Sequence, residues 1–170
     1  MAKLTVESEQ ILIDKDQINA LIAPNICDFF SFSQYLDNLI LKPMSEINQK
    51  DIYKNLPIEV IELAKRYQLI ETLVAKIEKP INEHLQKRLQ KSEQPHINHG
   101  NELHIFLAGE GYFIFNLNNK KYRLDISAGD MLYIDGNTEH SFFLTENKHL
   151  MLASFHQDEF EVFHKRVEYK

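Results

Sequence analysis

One cysteine, Cys27, stands in 170 residues, and no glycine occurs before Gly100. A lone thiol can close no internal disulfide and build no thiolate metal cluster, which fits a reducing compartment. No stretch approaches the roughly 18 consecutive apolar residues of a membrane-crossing helix. At the N-terminus Glu7 and Glu9 stand where a secretory signal would carry its apolar segment. A cytoplasmic protein without a membrane partner is therefore expected. Lysine and arginine number 19 against 25 aspartates and glutamates, for a formal net charge of −6, and no basic cluster appears. Nucleic acid is excluded as a partner, because neutralising phosphates takes clustered Lys and Arg.

What remains is enough for one core. With 44% hydrophobic residues the chain supports a single domain over 1–170, two domains being too thin. The punctuation divides it near residue 95. Upstream, over 1–94, the patterns are mostly helical. Asp16 to Ile22 opens on a good capping residue, and Ser33 to Leu41 carries Leu36, Leu39 and Ile40 at helical spacing. Pro57 suits a first helical position, with Val60, Ile61, Ala64 and Tyr67 recurring at three- and four-residue steps. Ile70 to Ile77 is rich in β-branched residues and is expected as a strand. Pro80 opens a further short helix with Leu85 and Leu89 on its apolar face.

Downstream the pattern is β. All five glycines lie between 100 and 136, among short runs that alternate or are wholly apolar: Leu103 to Ala108, Tyr112 to Leu117, Tyr122 to Ile126, Met131 to Ile134, Ser141 to Leu144 and His149 to Phe155. Strands so spaced, with turns at Asn118-Asn119 and Ser127 to Asp130, predict a sandwich or barrel whose core spans 95–156. The upstream helices are expected to pack on its outside.

The chemistry concentrates in Pro95-His96-Ile97-Asn98-His99-Gly100-Asn101-Glu102 and in Thr138-Glu139-His140. Imidazoles with one carboxylate select a first-row divalent metal, whereas calcium would want more oxygens. Eight histidines occur in all; His84, His149, His156 and His164 are expected as packed or surface groups. Phe106, Phe113, Phe115, Phe142 and Phe143 are expected in the core and cavity lining, and Asp158 to Glu161 on a solvated surface.

Two spacings carry a resemblance. Glu102, six residues and Gly109 match the second half of the first cupin motif; Gly129, five residues, Asp135, one residue, Asn137, two residues and His140 match the frame of the second, with Asp135 and Asn137 in place of its Pro and Gly. Within the cupins the chain resembles the acireductone dioxygenases over nearly its whole length, since a helical region of this size precedes the barrel and Pro95 to Phe106 is similar to their first motif. The resemblance implies a double-stranded β-helix, or jelly-roll barrel, holding one iron(II) or nickel(II) per chain. The implied activity is cleavage of an acireductone-like enediol by dioxygen, giving a keto acid and formate in methionine salvage, with the metal's identity deciding which bonds break.

The family's ligands are two His two apart, a Glu four beyond the second, and a His in the second motif. His96, Glu102 and His140 match three of these, while the second His is Asn98 here, with His99 next to it. Successive strand residues face opposite ways, so His99 reaches the metal only if the backbone bends, as Gly100 would permit. The expected metal ligands are thus His96, His99, Glu102 and His140. The family's Arg two residues after the Glu is His104 here, in strand phase with Glu102 and expected as the catalytic side chain; a later strand Arg is Ser154. The expected partners are a small-molecule substrate and dioxygen, in a monomer or small homo-oligomer. A cupin enzyme for another oxygen-rich substrate, or a non-enzymatic binding or sensor module, are the alternatives.

Overall fold

The computed structural model describes residues 2–6, 10–12, 14–22, 27–31, 56 and 58–157. The helix expected over Ser33 to Leu41, His164 and the acidic segment Asp158 to Glu161 lie outside the described residues. In chain order the elements are β1 (Lys3–Val6), β2 (Gln10–Leu12), α1 (Lys15–Ile22), β3 (Cys27–Ser31), α2 (Ile58–Arg66), β4 (Ile70–Ile77), α3 (Glu83–Ser92), β5 (Glu102–Leu117), β6 (Lys120–Ser127), β7 (Asp130–Ile134), β8 (His140–Leu144) and β9 (Leu150–His156). The strand expected at Ile70 to Ile77 forms as β4. The helix expected from Pro80 begins instead at Glu83, because the Asn82 side chain accepts the Leu85 N–H at 2.8 Å and caps it there.

Two expected strands are one. Leu103 to Ala108 and Tyr112 to Leu117 join in the 16-residue β5, whose first half pairs with β7 and β9 and whose second half pairs with β6 and β8. One antiparallel sheet thus runs β3-β7-β5-β9-β4 and the other β2-β1-β6-β5-β8, with β5 common to both. The changeover falls at Gly109, with φ +80° and a register shift just before it between Phe106 and Ala108. A Cβ on Gly109 would stand 2.0 Å from the His149 carbonyl oxygen, so no larger residue fits. Asn118 and Asn119, both at positive φ, make the expected hairpin turn. The second expected turn is tied by Asp130, whose Oδ2 accepts the Ser127 N–H at 2.9 Å.

The described N-terminal residues add strands as well as helices. β1 pairs with β6, β3 with β7 and β4 with β9, extending the barrel's own sheets. β1 to β3 are three to five residues long, too short for period-two patterning to show, and their hydrogen bonds come from partners far along the chain.

Alternation divides the core in two. Phe106, Phe113, Phe115, Leu124, Ile126, Leu132, Ile134 and Leu150 point between the sheets, with Leu4 and Ile18. From the opposite face of β5, β7 and β9, Leu103, Ile105, Met131, Tyr133, Met151, Ala153 and Phe155 pack against Val60 and Ala64 of α2. β7 is therefore buried at all five positions, which explains its unbroken apolar run.

Since α2 seals one sheet, both layers should unfold together. Leu103→Ala is expected to cost about 2–5 kcal/mol and Phe106→Ala about 3–5 kcal/mol in urea denaturation, each through one transition. A second transition in the Leu103 variant would show the α2 layer to be separately folded.

Candidate metal centre

His96 and His140 meet as an antiparallel bridge, each backbone N–H donating to the other's carbonyl at 3.0 Å, with ring centroids 4.4 Å apart. In both, Nδ1 donates to a carbonyl two residues upstream: His96 to Gln94 at 2.8 Å and His140 to Thr138 at 2.9 Å. That fixes the ring and leaves Nε2 to carry the lone pair when the imidazole is neutral, the arrangement a metal-ligating histidine requires. Burial drives the His140 pKa down to about 4, outweighing the attraction of Glu102, so the ring is neutral near pH 7.

Glu102 begins β5 and is 3% exposed. Burial by itself would raise its pKa. The hydrogen bond from His104, together with the charge of His140, His104 and His156 when they are protonated, reverses this and holds the carboxyl at about 2. His104 Nε2 donates to Oε2 at 2.9 Å, and the Asn98 amide donates to Oε1. The other His104 nitrogen, Nδ1, pairs with the Ser154 hydroxyl at 2.9 Å. His104, expected as the catalytic side chain, lines the cavity with both ring nitrogens hydrogen-bonded.

His99 is not brought to the others. It is exposed, its Nδ1 donates to Asn137 Oδ1 at 3.0 Å, and it does not line the cavity. The turn of His99 into the site expected from Gly100 does not form, for a physical reason. The segment stays extended through Asn98, so His96 and Asn98 share the cavity side and His99 takes the other. Asn137, at φ +66° where the second motif has Gly, fixes this by donating its N–H to the Asn98 carbonyl at 2.6 Å. Gly136 lets the strand approach, since a Cβ there would lie 2.4 Å from the His99 carbonyl oxygen.

Nothing in the sequence reading placed His156 in the cavity. Expected as a packed or surface group, it is 5% exposed, lies opposite Glu102 in the β5–β9 register and lines the same cavity. Its pKa is lowered to about 4, chiefly by burial. The signal lay in strand phase, two residues beyond Ser154. His84 and His149 are exposed, as expected.

His96, Asn98, Glu102, His104, His140, Ser154 and His156 line one cavity of about 320 Å³, together with Phe106, Phe113, Phe142 and Leu152, Lys76 from β4 and Arg88 from α3. Neutral imidazoles with an anionic carboxylate suit a divalent first-row ion. Among the described residues no group of three or more His, Cys, Asp or Glu side chains stands in metal-holding geometry, so binding an ion requires these side chains to reorient. The Glu102 carboxylate is turned to Asn98 and His104, and would exchange at least one of those hydrogen bonds on ligating.

Acid should destabilise the metal-free fold. Between pH 6.5 and about 4 the unfolded chain protonates His140 and His156 while the folded chain does not, and between about 4.5 and 2 the same holds for Glu102. Each His contributes at most about 1.4 kcal/mol per pH unit across its window, all of the same sign. Urea midpoints in the presence of a chelator should fall from pH 7.5 to 5, less steeply in His156→Gln. A flat profile would contradict the buried neutral state of these rings.

The sequence profile of the ARD/ARD' family matches residues 34–162. An acireductone dioxygenase of Leptospira biflexa serovar Patoc is 24% identical over 159 residues, 90% of this chain and 88% of its own length. Another, from Aquifex aeolicus, is 27% identical over 118 residues, 68% of this chain and 62% of its own. The solved acireductone dioxygenase from Bacillus anthracis, with a cadmium ion in its active centre, superimposes with a TM-score of 0.79 at 14% identity over 95% of both chains. At that identity the likeness establishes the fold, a cupin-type β-barrel. With the profile spanning most of its length, the chain belongs to the ARD/ARD' family.

Proposed function

We propose that this chain is a metal-dependent dioxygenase that cleaves an acireductone-type enediol with dioxygen, as the relatives' names describe for them. The observation that carries the reading is the pairing of His96 with His140 in one cavity with the anionic Glu102, each imidazole oriented through Nδ1. An iron(II) or nickel(II) ion held by His96, Glu102 and His140 would supply Lewis-acid polarisation of the enediol oxygens and a template for dioxygen.

The chain's own residues prepare that chemistry. Glu102 stays ionised at working pH, so one negative charge stands in the cavity beside the neutral His140 ring. Asn98 and His104 hold the carboxylate from two sides, which limits its rotamers before any ligand arrives. Phe106, Phe113 and Phe142 shed water from the chamber and pack the apolar part of the substrate. Lys76 and Arg88 add positive charge at the border, suited to an enediolate. No helix among the described residues is long and apolar enough to cross a membrane. We place the enzyme in the cytoplasm, consistent with its single cysteine.

Two measurements test this. After anaerobic loading with iron(II) or nickel(II), the protein should consume dioxygen on addition of synthetic acireductone, above the rate of the free metal. No uptake with either metal, in protein shown to hold it, would point to another substrate or a binding role. By dialysis with nickel(II), alanine at His96, Glu102 or His140 should raise the dissociation constant tenfold or more. His99→Ala should leave it unchanged, and a loss there equal to that of His140→Ala would contradict the outward placement of His99.

A further inference from the structure

Among the described residues one buried side-chain nitrogen has no partner. Nε2 of His156 is fully enclosed, makes no hydrogen bond, and belongs to a side chain that lines the cavity beside Glu102. An unpaired buried polar atom is costly, and a native site that keeps one has a use for it. Its neighbours cannot take that use over. His104, with its ring centroid 5.8 Å away, commits Nδ1 to Ser154 and Nε2 to Glu102. Asn98 turns its amide nitrogen to Glu102.

We propose that His156 is a metal ligand of this chain, so that the donor set is His96, Glu102, His140 and His156. The inference rests on the metal-dependent reading above. It gives three imidazoles and one carboxylate, with the imidazole absent at Asn98 supplied from β9. Geometry supports it at the level of strands. Glu102 and His156 are directly paired across β5 and β9, and inward alternation sends both side chains to the same chamber as His96 and His140. Asn98 then becomes a positioning residue that holds the Glu102 carboxylate. A bound ion would link β5, β8, β9 and the segment leading from α3, four parts of the barrel otherwise joined only by hydrogen bonds and packing.

The test is metal binding by the full chain, read by nickel(II) affinity and by the visible absorption of the cobalt(II) form. His156→Ala should weaken nickel binding tenfold or more and change the cobalt(II) bands, as expected when a nitrogen donor is lost. Adding Asn98→His to that variant should restore affinity to within a fewfold, because position 98 also faces the cavity. If His156→Ala does not fold by circular dichroism, His156→Gln carries the same measurements.

The outcomes separate. Loss of binding in His140→Ala with unchanged affinity and spectrum in His156→Ala overturns the proposal and leaves the metal reading intact. Weakened binding with unchanged cobalt(II) bands and no rescue by Asn98→His also overturns it, assigning His156 to packing. A native chain that binds neither nickel(II) nor cobalt(II) overturns the metal reading and the proposal with it.

Discussion

The two-residue alternation of β5 places almost everything that matters in this molecule, because the strand is shared by both sheets and its faces serve different purposes. Toward the interior it presents Glu102, His104 and Phe106, and beyond Gly109 Phe113 and Phe115. Toward α2 it presents Leu103, Ile105 and Leu107. A slip of one residue would exchange the polar set with the outer apolar set, burying charge under α2 and emptying the cavity of its donors. Register is therefore held firmly. Glu102 pairs with Ile134 on one side and His156 on the other, and the shift before Gly109 re-aims the strand into the second sheet. The lack of a side chain at Gly109 lets both halves stay hydrogen-bonded through the bend.

A buried carboxylate survives in such a place only with compensation. Desolvation of an unpaired charge costs several kcal/mol, and charge-assisted hydrogen bonds return roughly 1.5–3 kcal/mol each. Glu102 has two partners, Asn98 and His104, and His104 is itself held by Ser154. The same burial that threatens the carboxylate keeps His140 and His156 uncharged. Opposite effects on acid and base thus converge, since both leave lone pairs rather than protons facing the chamber.

Much of this was legible in the chain. The apolar runs after residue 95 locate β5 to β9 within a residue or two, whereas the mostly helical reading upstream omits β1, β2 and β3, and the described upstream strands extend the barrel's own sheets instead of lying outside it. The resemblance to the family's motifs singled out His96, Glu102 and His140, and the fold brings all three to one cavity. What escaped has physical causes. Short strands such as β1 and β3 are defined by remote partners, so their sequences carry no period to detect. The fusion of two runs into β5 was hidden because Gly109, read as a break, acts as a bend within a continuous strand. His99 drew attention as the neighbour of a missing histidine, but its direction is decided by Asn137, 38 positions away. His156 was passed over since only the β5–β9 register reveals that it faces Glu102.

The departures from the family pattern are also connected in space. His104 and Ser154, the positions at which the resemblance leads one to expect arginines, are cross-strand partners that hydrogen-bond each other. Two arginines at facing positions would each need an anion, whereas an imidazole and a hydroxyl satisfy each other and leave one N–H for Glu102. The positive charge bordering the chamber comes instead from Lys76 on β4 and Arg88 on α3, elements flanking the barrel rather than its central strand. Asn98 belongs to the same set, since its amide donates to the Glu102 carboxylate. The polar end of the cavity is thus a chain of contacts through Asn98, Glu102, His104 and Ser154, with His156 facing Glu102 on the neighbouring strand. A change at one of these positions alters the partner available to the next.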